Sequence, residues 1–422
     1  MRHFWLGTAL LLVAPTIAAA QERPAMSLDA LARDVVANNP ERQFYVRQID
    51  TAGVERDAAR RPTDPEVTVE FGQRRLEDPT TGARTGDAAA YAVSVVQPIE
   101  FGGRIALRRA IAEHQVTLAR IGLAAFDATL AARARSLGYA LFAADEKAAA
   151  ARVVAGRMRE LAHIIVSRDP AGPAPTLDAA VLRAGAITAE RDAATADAAA
   201  NSALYELNQL RGASFVARIR IIHPDMSLPA LPSGTALAAR IDERSFELQS
   251  LRAQFEQQGP RVDLARKARI PVVAIGPYYD HSGADRQTNY GIRLTTSLPV
   301  WNAQAGPVAQ EQGRQAQADA TLVNAQRRIA REVFDQSAQY EAKRTALLQW
   351  SADTPQSFAD RAAEADRNFR LGAIPLTTYT QMQDAYRSAL NAVLDTRAEA
   401  LDALLQLRAL AGGTLDGAPA QP

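Results

Sequence analysis

Val93-Ser94-Val95-Val96-Gln97-Pro98 recurs 201 residues later as Leu294-Thr295-Thr296-Ser297-Leu298-Pro299. Both segments alternate and both end in proline. Period-two alternation marks strands with one apolar face and one small or polar face. Upstream, Ala58-Ala-Arg-Arg-Pro-Thr-Asp-Pro65 matches Leu264-Ala-Arg-Lys-Ala-Arg-Ile-Pro271 at an offset of 206. Downstream, Leu207-Asn-Gln-Leu210-Arg-Gly212 matches Leu407-Arg-Ala-Leu410-Ala-Gly412 at 200. The loop between the strands is therefore five residues longer in the first half, as the two offsets require. Solenoid repeats run about 20–50 residues, so a period near 200 marks a duplicated half-molecule instead. The halves meet in the proline-containing segment from Ala213 to Gly234.

Each half reads in one order. A first helix is expected over Ser27–Arg60 and again over Thr235–Arg269. Ser27 is a plausible N-cap. Strands follow: Val67, Val69 and Phe71 alternate with Thr68, Glu70 and Gly72, and Tyr91, Val93 and Val95 with Ala92, Ser94 and Val96. In the second half Tyr290, Ile292, Leu294 and Leu298 form the apolar set, and Val272–Tyr279 reads as their partner strand. The loops are expected over about Gln73–Ala90 and Asp280–Asn289.

Beyond the prolines the chain turns helical. Arg104 to about Arg168 holds no proline, and Val308 to about Asn368 holds only Pro355. A helix of roughly 65 residues would be ~97 Å long. Leu107, Ile111, His114, Leu118, Ile121 and Ala125 step through a seven-residue rhythm, which predicts a coiled seam. Tyr386, Leu390, Val393, Ala400, Leu404 and Leu407 do the same, interrupted by Arg397. Breakers at Arg168–Thr176 and at Leu371–Pro375 reverse the chain, so each half carries a long helical hairpin.

Residues 1–20 stand apart. Arg2 and His3 precede an apolar run from Phe4 to Val13, then Pro15 and Ala18-Ala19-Ala20. That pattern is a secretory leader cut after Ala20. The run is short of the ~20 apolar residues of an uncleaved spanning anchor. The resulting layout is a leader at 1–20, a first repeat at 21–212, a linker at 213–234, a second repeat at 235–412 and a tail at 413–422.

Among the 422 residues none is cysteine, which removes disulfide scaffolds, thiolate metal sites, thiol catalysis and an acylated N-terminal cysteine. Formal net charge is +1, so no steering toward nucleic acid is implied. Mean hydropathy is −0.17, against a helical membrane bundle. A membrane crossing would have to use strands. Four strands cannot close a barrel, and open edges are not tolerated in lipid, so the chain must oligomerise. Two copies would supply eight strands and three would supply twelve.

Taken together, the duplicated order of helix, strand, loop, strand and helical hairpin resembles the TolC-like outer-membrane factors, exit ducts of bacterial tripartite efflux systems. Gln97-Pro-Ile-Glu-Phe-Gly-Gly-Arg104 and Leu371-Gly-Ala-Ile-Pro-Leu-Thr-Thr-Tyr-Thr-Gln-Met-Gln-Asp-Ala385 carry the similarity, closest to the cobalt–zinc–cadmium type. The resemblance covers essentially all of the chain after the leader. It implies a homotrimer with a twelve-stranded outer-membrane β-barrel continuous with a periplasmic α-helical barrel. It also implies a periplasmic adaptor, an inner-membrane resistance–nodulation–division pump and contact with outer-membrane lipid. Several members are lipidated, and this chain lacks the acceptor cysteine.

Other chemistry reads poorly. His114, His163, His223 and His281 have no second His within helical reach, so no metal site and no cofactor is expected. Phe101-Gly-Gly-Arg104 lacks the phosphate-loop pattern and reads as a strand-to-helix turn. No Ser-His-Asp arrangement can be assembled, and no enzyme is expected. The alternatives are a duct for organic compounds or a periplasmic coiled-coil scaffold. A scaffold does not account for four alternating segments at duplicated positions. Near the helix turns, Arg183 and Asp384 lie 201 residues apart and are candidates for a periplasmic aperture, together with Asp178.

Overall fold

The computed structural model describes residues 25–167, 173–222, 224, 228–284, 286–298, 305–350, 354–413 and 415. The expected leader, the centre of the first helical turn, Pro299, His223 and most of the tail lie outside the described residues.

In chain order the elements are β1 (Ala25–Met26), α1 (Leu28–Asn38), α2 (Arg42–Ala59), β2 (Glu66–Glu77), β3 (Arg84–Ile99), α3 (Arg104–Ser167), α4 (Pro173–Leu210), β4 (Arg220–Ile221), α5 (Gly234–Arg244), α6 (Phe246–Lys267), β5 (Val273–Ser282), β6 (Gln287–Thr296), α7 (Ala305–Gln349), α8 (Thr354–Arg370) and α9 (Leu376–Leu410). β2, β3, β5 and β6 form one antiparallel sheet in that order, and β1 pairs with β4 in parallel.

The duplication is visible in the packing. Ser27 and Ser233, 206 residues apart, each accept a hydrogen bond from the backbone N–H three residues on, which satisfies a donor the helix start leaves open. Leu31 and Val35 on α1 bury like Leu237 and Ile241 on α5, again 206 apart. Each set anchors its own core. The first gathers Leu31, Val35, Leu137, Leu141, Leu204 and Leu207; the second gathers Leu237, Ile241, Ile329, Tyr340, Leu404 and Leu407.

Six sequence expectations need correction. Ser27–Arg60 is two helices, because Pro40 disfavours helical backbone at Asn39, which instead turns to φ −65°, ψ 125°. Asn39 Oδ1 accepts from the N–H groups of Glu41 and Arg42, and its Nδ2 donates to the Leu210 carbonyl at 2.8 Å. One side chain thus starts α2 and ties down the end of α4. Thr235–Arg269 likewise divides at Ser245.

The helix expected from Val308 to Asn368 ends at Gln349, and α8 restarts with Pro355 in its first turn, where the missing N–H costs nothing. The seam on α3 is also displaced. Ala112, Val116 and Ala119 are buried, the last two against Ala52, while Leu107, Ile111, His114, Leu118 and Ile121 are half-buried. The seam on α9 holds, with Leu390, Val393, Ala400, Leu404 and Leu407 buried.

Finally, most of Gln73–Ala90 is strand, and the connection shrinks to residues 78–83. Asp78 organises that turn. Its carboxylate accepts from the N–H groups of Thr80 and Thr81 at 2.7 and 3.0 Å. The second connection shrinks to 283–286.

Candidate functional site: the sheet faces and the helical ends

Register fixes which side chains share a face of the sheet. Phe71 lies opposite Tyr91, Val69 opposite Val93, Val67 opposite Val95, Tyr279 opposite both Val93 and Tyr290, and Ile275 opposite Leu294. Alternation therefore collects every one of these apolar side chains on one side. Nothing among the described residues covers that side. Phe71 is 84% exposed, Tyr290 81% and Ile292 74%. Soluble chains rarely leave so large a contiguous apolar surface in water. Tyr91 stacks on Tyr279 with ring centroids 6.1 Å apart, placing aromatic groups at one level of the sheet.

The opposite face is small and polar: Thr68, Glu70 and Gly72 on β2, Ala90, Ala92 and Ser94 on β3, Gly276, Tyr278 and Asp280 on β5, and Gly291 and Arg293 on β6. Arg293 donates from Nη1 to Ser94 Oγ at 2.9 Å across three strands and lies over the Tyr278 ring, 5.5 Å from its centroid. Gly276 is required by closeness: a Cβ there would stand 1.8 Å from the Val95 carbonyl oxygen. Both outer strands, β2 and β6, have an edge that no described residue pairs with.

The sheet passes into the helices through Gly102 and Gly103, both at φ +77°, a conformation that favours glycine. Arg104 then donates to the carbonyls of Lys267 and Ile270 at the end of α6, 2.7 Å to the former from Nη2. Cations suit a helix C-terminus, whose carbonyls lack helical partners. Arg108 forks onto Glu100 at 2.7 and 2.5 Å. The sequence reading found this turn in its glycines and missed the arginine that joins the halves, because its acceptors are backbone atoms more than 160 residues away.

At the far end, α3, α4, α8 and α9 share a core of Met158, Leu161, Leu182, Ala186, Ala365 and Tyr379. Burial pushes the Tyr379 hydroxyl well above its ordinary range. The aperture candidates sit here. Arg183 is exposed on α4 and has no ion pair among the described residues; Asp178 is half-buried. Asp384 on α9 pairs with Arg387 Nη2 at 2.7 Å, and the same guanidinium reaches Asp192 on α4. The structure does not join Arg183 to Asp384 within the chain. Burial along α4 and α9 repeats at 201 beside Arg183, Leu182 with Gln383 and Ala189 with Leu390, and at 200 toward the helix ends, Leu207 with Leu407.

Between these ends, an open furrow of about 650 Å³ runs among α3, α4 and α9, floored by alanines and rimmed by Lys147, Arg191, Asp192 and Asp395. Among the described residues no group of three His, Asp or Glu side chains could hold a metal ion, and no helix is long and apolar enough to cross a membrane.

No family model and no curated protein matches the sequence. Solved structures do match the fold. A membrane protein from Pseudomonas aeruginosa superposes with a TM-score of 0.75 at 18% identity, over 92% of this chain and 90% of that one. The Campylobacter jejuni CmeC outer membrane channel gives 0.73 at 14%, over 92% and 86%. The open state of the Neisseria gonorrhoeae MtrE outer membrane channel gives 0.70 at 15%, over 92% and 89%.

The chain has the fold of these outer-membrane channels. The superpositions cover 92% of the chain.

Proposed function

We propose that this chain is the outer-membrane exit duct of a tripartite resistance–nodulation–division efflux system. The observation that carries the reading is the sheet, with one face of uncovered apolar side chains, one small polar face and two unpaired edges. Lipid satisfies the first, a water-filled lumen the second, and closure with further copies the third. Three copies give twelve strands, matching the homotrimer that the resemblance implies. The long hairpins then continue the barrel into the periplasm and meet a periplasmic adaptor and an inner-membrane pump. In this reading the working protein begins at Gln21, spans repeats at 21–212 and 235–412 joined by 213–234, and ends in the tail at 413–422.

The duct is passive, so cargo choice lies with the pump. Heavy-metal cations are the proposed cargo. The support is the similarity of residues 97–104 and 371–385 to the cobalt–zinc–cadmium type, and organic compounds are the competing cargo. Arg183, Asp384 and Asp178 are proposed to line the periplasmic aperture.

The test is to fractionate cells, weigh the detergent-purified complex and record it in planar bilayers. An outer-membrane trimer with a conducting pore is expected; a folded monomer released with the periplasm would sink the reading and favour the scaffold. Cargo is tested separately. A strain lacking the chain should lose tolerance to cobalt, zinc and cadmium and keep its tolerance to organic toxicants.

A further inference from the structure

The two halves are joined inside the chain by β3 and β5, and this joint has a measurable register. Ser94 lies opposite Tyr278 and Val93 opposite Tyr279. The outer edges, on β2 and β6, carry no partner among the described residues. The repeat says what those edges should look like to each other. β2 of one half corresponds to β5 of the other at an offset of 206, and β3 to β6 at 201.

The structure checks those offsets independently. Paired residues in the β2–β3 hairpin have numbers totalling 162, as in Glu66 and Val96, and those in the β5–β6 hairpin total 569, as in Val273 and Thr296. The difference of 407 is what offsets of 206 and 201 demand. The hairpins are therefore the same hairpin residue for residue, and the extra length of the first is confined to its turn end.

We infer that the joint between neighbouring copies repeats the β3–β5 joint, with β6 of one copy pairing antiparallel to β2 of the next and Thr295 opposite Gly72. Carrying Ser94 forward by 201 gives Thr295, and carrying Tyr278 back by 206 gives Gly72. The same step sets Leu294 opposite Gln73 and Thr296 opposite Phe71.

Side-chain direction agrees without adjustment. Leu294 and Phe71 belong to the apolar face of their own hairpins, and Thr295 and Gly72 to the polar face, so the deduced register keeps both faces continuous across the joint. A slip of one residue would put Leu294 level with Gly72 and reverse the faces, which a barrel with lipid outside and water inside cannot accept. Slips of two preserve the faces, and only the repeat excludes them.

The occupant is a second copy of this chain because the edge it must match, β5 against β3, is already part of it. The helices agree. α6 of the second half packs against α3 of the first, with Gln257 Nε2 donating to the Ile111 carbonyl at 3.0 Å. The equivalent outer helix, α2, leaves Phe44 and Val54 exposed on a side that no described residue covers.

This inference rests on the proposed barrel and adds its register. The chain has no native cysteine, so paired cysteines report one contact each. Gly72 takes a side chain freely, since a Cβ there meets nothing within 4 Å. The full-length Gly72→Cys/Thr295→Cys variant, oxidised in isolated outer membranes, should run on denaturing gels as linked dimers and trimers that collapse on reduction. The displaced pairs Glu70→Cys/Thr295→Cys and Arg74→Cys/Thr295→Cys should link far less, and each single cysteine not at all. Gln73→Cys/Leu294→Cys repeats the test on the other face and guards against a folding defect at Gly72. Stronger linkage from a displaced pair would overturn the register and leave the barrel standing. A complex that weighs as a trimer yet links through none of these pairs would overturn pairing of β2 with β6. A monomer would overturn the underlying reading.

Discussion

Arg370 on α8 grips Glu160 on α3 with two parallel hydrogen bonds, Nη1 to Oε1 at 3.0 Å and Nη2 to Oε2 at 2.8 Å. The residues lie 210 positions apart, one in each half, beside the core formed by Met158 and Tyr379. Arg370 Nε also holds Asp366 at 2.9 Å, so one guanidinium ties its own helix to the opposite hairpin. A planar fork meeting a carboxylate fixes orientation as well as distance.

That grip should depend on pH. The hydrogen bonds from Arg370 hold the Glu160 carboxyl below its ordinary value of 4.5. A carboxyl whose folded value is depressed adds stability above the unfolded value, and the contribution is lost as pH falls through the folded value. Glu160→Gln should therefore speed amide hydrogen exchange in α8 near neutral pH. Well below 4.5 the variant and the native chain should exchange alike. A difference that persists in acid would mean the fork is not what holds α8.

Arg104 should matter more to stability than its position in a glycine turn suggests. It donates charge-assisted hydrogen bonds to the carbonyl of Lys267, the last residue of α6, and to that of Ile270 just beyond it. Bonds of that type contribute about 1.5–3 kcal/mol. Arg104→Ala should lower the melting temperature of the purified complex measurably, and Arg104→Lys should recover part of the loss. Equal melting of all three proteins would remove Arg104 as the link between halves.

What the sequence made legible, and what it did not, divides along physical lines. Alternation in Val93–Val95 and the long proline-free run after Arg104 depend only on near neighbours, and both elements are where that reading puts them. The break at Asn39 was also local, since Pro40 announces it, but the helical pattern on either side masked the signal. The long loop expected over Gln73–Ala90 failed for a different reason. Arg74, Arg75 and Asp87 look like turn residues, yet the ladder runs on through them, because backbone pairing does not need apolar side chains. The helical ends were least legible. Asp384 pairs with Arg387 three residues on and Arg387 with Asp192 on α4, contacts that the packing of separate hairpins decides.

The aperture proposal yields a conductance prediction. Arg183 is unpaired among the described residues, and Asp384 is only partly engaged, its side chain 58% exposed. In a trimer both could meet a neighbouring hairpin. Exposed pairs are individually weak, about 0–1 kcal/mol, but three related contacts acting at one constriction would bias it closed. Arg183→Ala and Asp384→Ala should each raise single-channel conductance in planar bilayers, and Asp178→Ala serves as the neighbouring comparison. Unchanged conductance in both variants would reject the aperture assignment.

Topology is the remaining prediction, and both ends of the sheet bear on it. At one end β3 passes through Gly102 and Gly103 into α3, whose 64 residues would extend ~96 Å. The long helices are rich in ion pairs such as Arg133–Glu206, Lys147–Asp395 and Arg159–Glu190, so they belong in water. A proposed duct of this length fits that requirement in the periplasm. At the other end the strands close in the turns at 78–83 and 283–286, and membrane barrels keep their longer connections outside the cell. The longer turn is the one organised by Asp78, and Thr81 within it is exposed. A cysteine at Thr81 would be the only thiol in the chain, so labelling is unambiguous. It should react with an impermeant maleimide on intact cells. A cysteine at Thr176, exposed near the start of α4, should react only once the outer membrane is breached. Labelling in the reverse order would turn the sheet over, put the helices outside the cell and end the exit-duct reading.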